Sequence, residues 1–337
     1  MYKSKSLMWF RRLALFGTFL ALFVVVLGAY VRLSDAGLGC PDWPGCYGTM
    51  TVPESQSAIL NAQTAFPDKP VELDKAWKEM IHRYAAGTLG LLILMLCIVC
   101  WRGRKYMNIS PWLPTSLVAI VAFQAALGMW TVTLLLKPVI VSMHLLGGMT
   151  ILALLAWIAH RHLGLILGKM VDKPSLRWMI RGALLVVFAQ IFLGGWTSTN
   201  YAALACTDFP TCHGEWMPNM DFGTAFHWFR ELGQTADGSP LDLPAFVAIQ
   251  WSHRLGALVT FIYLGVLALC MLKTQRLKSL GVILLTLLVI QICLGISNLV
   301  LHLPLIIAVA HNMGAALLLV TIVVMNSKIT ALPKGSY

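Results

Sequence analysis

Eight apolar stretches, each close to the ~20 residues that carry a helix across a bilayer, constrain this chain more than any other feature. They run at about 13–32, 79–101, 112–134, 138–160, 178–198, 247–272, 278–301 and 304–326. Hydrocarbon offers no partner for a free backbone group, so such stretches span as helices. Barrel strands would alternate in polarity with period two, and these stretches do not. A chain that is 58% hydrophobic and 12% charged, with a mean hydropathy of +0.76, is not a soluble one. The expected fold is an all-α integral membrane protein with eight transmembrane helices.

Charge sets the orientation. Lys3, Lys5, Arg11 and Arg12 precede the first span, and Arg102, Arg104 and Lys105 follow the second. Arg161, Lys169, Lys173, Arg177 and Arg181 lie between the fourth and fifth. Lys273, Arg276 and Lys278 separate the sixth and seventh, and Lys328 and Lys334 follow the eighth. All fall on one side, joined by a single acidic residue, Asp172. That side is assigned to the cytoplasm. Both termini are expected there, in a bacterial plasma (inner) membrane, with lipid around the spans. The net charge of +11 then reflects topology, and nucleic acid is excluded as a partner. The first span is read as retained, because its repeat counterpart is internal and no small-residue cleavage site follows it.

A duplication organises the spans. His82 in Glu79-Met80-Ile81-His82-Arg83 answers His253 in Gln250-Trp251-Ser252-His253-Arg254. His144, preceded by Gln124, Leu127-Gly128 and Pro138, answers His311, preceded by Gln291, Leu294-Gly295 and Pro304. Cys40-Pro41-Asp42-Trp43-Pro44-Gly45-Cys46 is echoed by Cys206-Thr207-Asp208-Phe209-Pro210-Thr211-Cys212, with Leu27-Gly28 and Leu193-Gly194 upstream. Each half holds four spans, an even number, so both halves start on the same side and form a parallel repeat. The expectation is two tandem four-helix bundles related by pseudo-two-fold symmetry, 1–165 and 166–337, divided by the basic segment around 161–177. Long outer loops, about 33–78 and 199–246, open each half after its first span.

Four duplicated histidines lie inside apolar spans, at similar depth toward the outer face. Ionisable residues there are costly and usually functional. Imidazole suits iron, and two facing imidazoles can ligate a haem axially. Zinc fits less well, since it usually takes three or four ligands. The plainer reading of each histidine is a polar residue in a helix interface. Arg83 and Arg254 are candidates for a haem propionate, or else interfacial anchors whose heads reach water. Glu79 lies three residues before His82, on its helical face, where the other half has Gln250. A carboxylate in one half and an amide in the other suggests that one site reacts and one serves. The alternative is a solvated helix-start carboxylate. Cys40/Cys46 and Cys206/Cys212 sit on the oxidising side, so each pair is expected to form a disulfide, either a staple or a labile redox pair. Cys97, Cys100, Cys270 and Cys293 are read as buried packing residues. His160, His162, His213, His227 and His302 lack repeat counterparts and are expected at the surface or interface.

The chain resembles the haem A synthase family over nearly its whole length. The resemblance rests on Gly37-Leu38-Gly39-Cys40-Pro41-Asp42-Trp43-Pro44, Glu79 with His82-Arg83, His144-Leu145-Leu146-Gly147-Gly148, Thr197-Ser198-Thr199-Asn200, His253-Arg254 and His311-Asn312-Met313-Gly314. It implies a membrane enzyme that oxidises the C8 methyl of haem O to a formyl group, with water as the oxygen source, giving haem A for terminal oxidases. It implies a haem b cofactor at His253 and His311. It implies a substrate haem site at His82 and His144, with Glu79 catalytic. Haem O synthase is the implied donor, and an electron acceptor is required. The alternative is a di-haem b electron-transfer protein, which needs the histidines but not the Glu79/Gln250 asymmetry. A haem carrier and a disulfide-generating oxidoreductase are weaker alternatives. The apolar exterior would also permit a homo-oligomer.

Overall fold

A computed structural model describes residues 2–163 and 174–329. Lys169, Asp172, Lys173, Lys334 and the 165/166 division lie outside the described residues. Ten α-helices follow in order: α1 Tyr2–Leu33, α2 Gln56–Ala65, α3 Leu73–Met107, α4 Trp112–Thr133, α5 Pro138–His162, α6 Pro174–Thr199, α7 Phe222–Ala225, α8 Leu243–Leu272, α9 Lys278–Val300 and α10 Leu305–Ile329. Among the described residues there is no strand. All but the short α2 and α7 are long and apolar enough to cross a membrane, which makes eight. The chain is a multi-pass membrane protein.

Several expected boundaries move outward, among them the start of α1 at Tyr2 and the end of α3 at Met107. α3 starts at Leu73 and α8 at Leu243, ahead of their apolar stretches. These added turns are helical because the outer loops pack on them. Gly39, for instance, crosses α3 so closely that a Cβ there would lie 2.6 Å from the Lys75 carbonyl. Local caps fix the starts and turns. Asp242 accepts the Ala245 amide at 3.3 Å with a proline in the first turn of α8. The α4–α5 and α9–α10 connections repeat one left-handed turn. Leu135 and Leu136 in the first, and His302 and Leu303 in the second, have positive φ. In each the chain closes over five residues, Leu136 N–H to Thr131 O at 2.8 Å and Leu303 N–H to Asn298 O at 2.7 Å.

Within the first half α1 packs on α3 and α5, and α4 packs on both α3 and α5. In the second, α8 packs on α6 and α9, and α10 packs on both α6 and α9. Each half is thus a closed ring of four helices, and the halves meet through α1 and α5 against α10, and α5 against α6. Three contacts across that seam join a residue to its own repeat image. Arg32 Nη2 donates to Ser198 O at 2.9 Å, Tyr201 donates to Asp35 at 3.1 Å, and Ser327 bonds His160. Their separations are 166, 166 and 167 residues.

The largest buried cluster lies toward the end carrying the basic segments. Phe10, Leu96, Met107, Ile158, Leu176, Ile180, Met271 and Met325 belong to it. Full burial of such side chains is worth roughly 1.5–3 kcal/mol each, although in lipid it is close packing more than water exclusion that holds helices together. The loop end is built differently, from small clusters around each disulfide, and the histidines lie beneath them. Two expectations are corrected here. His160 is buried, not superficial, and its repeat counterpart is Ser327. Cys270 and Cys293 are exposed on the helix exterior while Cys97 and Cys100 are buried. A thiol is apolar enough to face hydrocarbon without a partner.

Candidate haem site

Each outer loop is folded by the same few residues. Disulfides join Cys40 to Cys46 and Cys206 to Cys212, with Cα–Cα distances of 4.8 and 4.9 Å. Inside each bridge an aspartate gathers two backbone amides. Asp42 accepts from Tyr47 at 2.6 Å and Gly48 at 2.8 Å, and Asp208 from His213 at 2.6 Å and Gly214 at 3.0 Å. All four of these residues have positive φ, as a tight turn with two left-handed centres requires. The Thr211 hydroxyl also donates to Asp208 at 2.6 Å. That bond, with the Gly214 and His213 amides, holds the Asp208 carboxyl well below the usual carboxylate range. Burial, helped by Glu72, Asp42 and Glu79 nearby, pushes the Tyr47 phenol up.

The helix beneath each loop answers with a polar pair. Glu79 is 5% exposed, so it is no solvated helix-start residue. Its Oε2 accepts the Cys40 amide at 3.0 Å and its Oε1 takes Arg83 Nη2 at 2.6 Å. Gln250, also 5% exposed, accepts the Cys206 amide at 2.7 Å and donates to Ala203 O at 2.6 Å. Arg83 further donates to the carbonyls of Asp42, Pro44 and Gly45. Arg254 donates to Thr211 O at 2.7 Å and Cys206 O at 3.0 Å. Both guanidiniums therefore tie a helix to the disulfide loop above it.

Glycine on a neighbouring helix makes room for each histidine. A Cβ at Gly28 would lie 2.9 Å from His82 Cε1, at Gly128 3.3 Å from His144, at Gly194 3.0 Å from His253, and at Gly295 3.1 Å from His311. These glycines terminate the Leu-Gly pairs of the repeat. Glutamines one turn before them form a further layer. Gln190 Nε2 lies 3.0 Å from His253 Nδ1 and donates to His253 O at 3.1 Å. Gln291 Nε2 donates to His311 O at 2.9 Å. Gln190 escaped the sequence reading, which matched Gln124 only with Gln291; its signal is the spacing Gln-x-x-x-Gly.

The rings of His253 and His311 lie close together in the second bundle. Their centroids are 6.5 Å apart and their planes cross at 87°. Two imidazoles bound to one metal from opposite sides, with bonds of about 2 Å, hold their centroids about 6.4 Å apart. His82 lies within electrostatic reach of His144 in the first bundle. Among the described residues, no group of three or more His, Cys, Asp or Glu is placed to hold a metal ion. A pair of imidazoles is a donor set for a metal whose other positions are already filled.

The family model described as "Cytochrome oxidase assembly protein" (COX15-CtaA) matches residues 11–323. The chain is 46% identical over 322 residues to a protein named Heme A synthase from Shewanella oneidensis, covering 95% of this chain and 96% of that one. It is 26% identical over 320 residues to one of the same name from Caulobacter vibrioides, covering 88% and 89%. Another, from Halalkalibacterium halodurans, is 26% identical over 255 residues, covering 72% and 77%.

The chain belongs to the haem A synthase family.

Haem binding follows from that membership, and the residues fit it. The four histidines are half-buried, so each keeps open surface inside the spans. Nδ1 of His82, His144 and His311 has no hydrogen-bond partner among the described residues. The Gln190 amide lies against Nδ1 of His253, which leaves Nε2 for a metal. Such neighbours commonly orient metal-ligating imidazoles. For a haem A synthase this places the candidate ligands at the loop end, under the disulfide loops, above a solid apolar core.

Proposed function

We propose that the chain is a haem A synthase, oxidising the C8 methyl of haem O to a formyl group and giving haem A for terminal oxidase assembly. The observation that carries this reading is the adjacent His253–His311 pair, 6.5 Å between centroids, in a chain 46% identical over nearly its full length to a protein named Heme A synthase. In this reading residues 166–337 hold haem b between His253 and His311. Bound there, haem b supplies one-electron transfer. Residues 1–165 hold the substrate, haem O, between His82 and His144.

Conversion of the methyl to a formyl group consumes one water and releases four electrons and four protons. An electron acceptor in the membrane takes the electrons. Glu79 is the catalytic residue of the reading, three residues from His82 on the same helical face. Its carboxylate takes a proton from the attacking water or balances positive charge developing at the methyl carbon. Arg83 pairs with that carboxylate at 2.6 Å. Arg83 and Arg254 pin the loops, and a haem propionate would share them with the loop carbonyls. The setting is a bacterial plasma membrane with both termini in the cytoplasm and haem O synthase as the donor.

The test is a haem chromatogram from cells that supply haem O, with and without this chain. Haem A should appear only with it. Two equivalents of haem b in the purified protein, and no haem A or haem O, would make it a di-haem electron-transfer protein instead.

A further inference from the structure

The four histidine sites are built to one plan, and one of them departs from it. A residue four positions before each glycine and a residue three positions after each histidine occupy the same space. At three sites these are Gln124 with Gly147, Gln190 with Gly256, and Gln291 with Gly314. A Cβ on any of those second glycines would collide with its glutamine amide. At the fourth site, that of His82, the pair is Val24 and Ala85. Both positions have changed together. Ala85 brings the Cβ that the other sites exclude, and Val24 brings no amide to be displaced.

The consequence is physical. Gln190 and Gln291 each bond the backbone carbonyl of their histidine, at 3.1 and 2.9 Å, while lying against its ring. Such a bridge ties ring to helix. Val24 has no group to make one; an unpartnered Nδ1 is common to His82, His144 and His311, so what sets His82 apart is the missing glutamine at position 24. On the neighbouring helix His82 has Gly28 beside its ring, where an added Cβ would lie 2.9 Å away, and no glutamine four positions before it.

We infer that Val24 and Ala85 make His82 the ligand that lets go, so that the first bundle grips its haem through His144 and exchanges it through His82. This rests on the reading of the first bundle as the substrate site. A substrate site must admit one haem and release another, whereas a cofactor site must not. The second bundle has a glutamine at both histidines, and the first at His144 alone. Val24 and Ala85 are positioning residues, acting through His82.

The experiment compares three full-length proteins loaded with haemin. They are the wild type, Val24→Gln/Ala85→Gly, which installs the missing pair, and Gln190→Val/Gly256→Ala, which removes one from the second bundle. Each is mixed with excess haem-free myoglobin and haem transfer is followed by absorbance. Groups that hydrogen-bond a metal-ligating histidine typically change metal affinity about 10–100-fold. The wild type should therefore lose one haem quickly and one slowly. Val24→Gln/Ala85→Gly should slow the fast phase about 10–100-fold and sharpen its low-spin spectrum, leaving the slow phase alone. Gln190→Val/Gly256→Ala should speed the slow phase by a similar factor. An unchanged fast phase in the first variant, with the slow phase intact as proof of folding, overturns the inference. Should that variant fail to accumulate, the reverse swap decides, and an unchanged slow phase overturns it. His82→Ala separates the two levels of argument. If it alters the fast phase while Val24→Gln/Ala85→Gly does not, only this inference fails. If it alters nothing, the substrate-site reading falls as well.

Discussion

Adding one methyl group beside a histidine should cost the protein its haem while leaving its fold nearly intact. Gly194→Ala is the perturbation. Its Cβ would stand 3.0 Å from His253 Cε1, where carbon–carbon contacts prefer about 3.5–4.0 Å, so the ring must retreat by roughly 0.5 Å. Overpacking of this kind costs about 1–3 kcal/mol. Replacing an interior helical glycine by alanine returns about 1 kcal/mol. The net change is therefore about 0–2 kcal/mol, which a folded bundle tolerates. A metal ligand does not tolerate it, because its geometry must hold within roughly 0.5 Å. Gly265→Ala on the same helix as His253 is the control, because a Cβ there meets nothing within 4 Å. The assay is haem-to-protein ratio and absorbance of each purified variant, beside its thermal unfolding. Gly194→Ala should lose most haem from the second bundle with a modest change in unfolding temperature, and Gly265→Ala should lose none. Gly128→Ala, with 3.3 Å to His144, should be milder than Gly28→Ala at 2.9 Å from His82. A Gly194→Ala protein with full haem and an unchanged spectrum would refute the reasoning.

His253→Ala or His311→Ala should each remove most of the haem b from purified protein, read by pyridine haemochrome; unchanged content in both would exclude the pair as ligands. Glu79→Gln should keep haem b but lower haem A production on the order of 10²–10³-fold, with haem O or an alcohol form accumulating in the chromatogram; wild-type haem A would exclude Glu79 from the chemistry. Cys40→Ser/Cys46→Ser should cost about 2 kcal/mol by freeing a short loop in the unfolded chain, and peptide mapping of the wild type without reductant should find no free thiol at Cys40, Cys46, Cys206 or Cys212. Because Asp208 titrates below its usual range, its stabilising effect on the second loop is fully present above the unfolded value near ~4 and lost as pH falls through the lower folded value. Protection of the His213 and Gly214 amides against hydrogen exchange, relative to their intrinsic rates, should thus be flat across neutral pH and fall only in acid, and in Asp208→Asn it should be lowered at pH 7.

Span number and order were legible because lipid imposes one rule on every crossing segment, and an apolar run of the right length satisfies it. Helix ends at the loop side were not. Residues 73–78 and 243–246 are helical because the outer loops pack on them, a tertiary cause that hydropathy does not register. That shift turned Glu79 from a helix-start residue into a buried one. His160 was missed for a related reason. A search for histidines one repeat apart finds nothing opposite it, because the residue one repeat away, Ser327, is its hydrogen-bond partner. The histidines themselves were found by duplication, but what orders them was not. Gln190 matters through its distance to His253 and Gly256, and neither neighbour is close to it in sequence.

The Glu79/Gln250 difference gains force from the structure because the two residues do the same structural job. Each accepts the amide of the first loop cysteine, Cys40 at 3.0 Å and Cys206 at 2.7 Å. An amide suffices for that task in the second half, where Gln250 also donates to Ala203 and Cys206 carbonyls. A carboxylate cannot donate, so in the first half Arg83 turns one nitrogen to Glu79, whereas Arg254 gives its nitrogens to the loop carbonyls of Thr211 and Cys206. Burying an ion pair is rarely a net gain over a neutral group that fits. The charge at Glu79 is therefore more than the fold requires, and it lies one helical turn from His82, the histidine whose neighbours Val24 and Ala85 also depart from the common plan. Two departures of different chemistry fall at His82: a charge where its single counterpart His253 has an amide, and a missing glutamine where the other three histidines have one. In the proposed reading this is the site that both reacts and exchanges its ligand, and a charge and a missing tether are what those two tasks would ask of it.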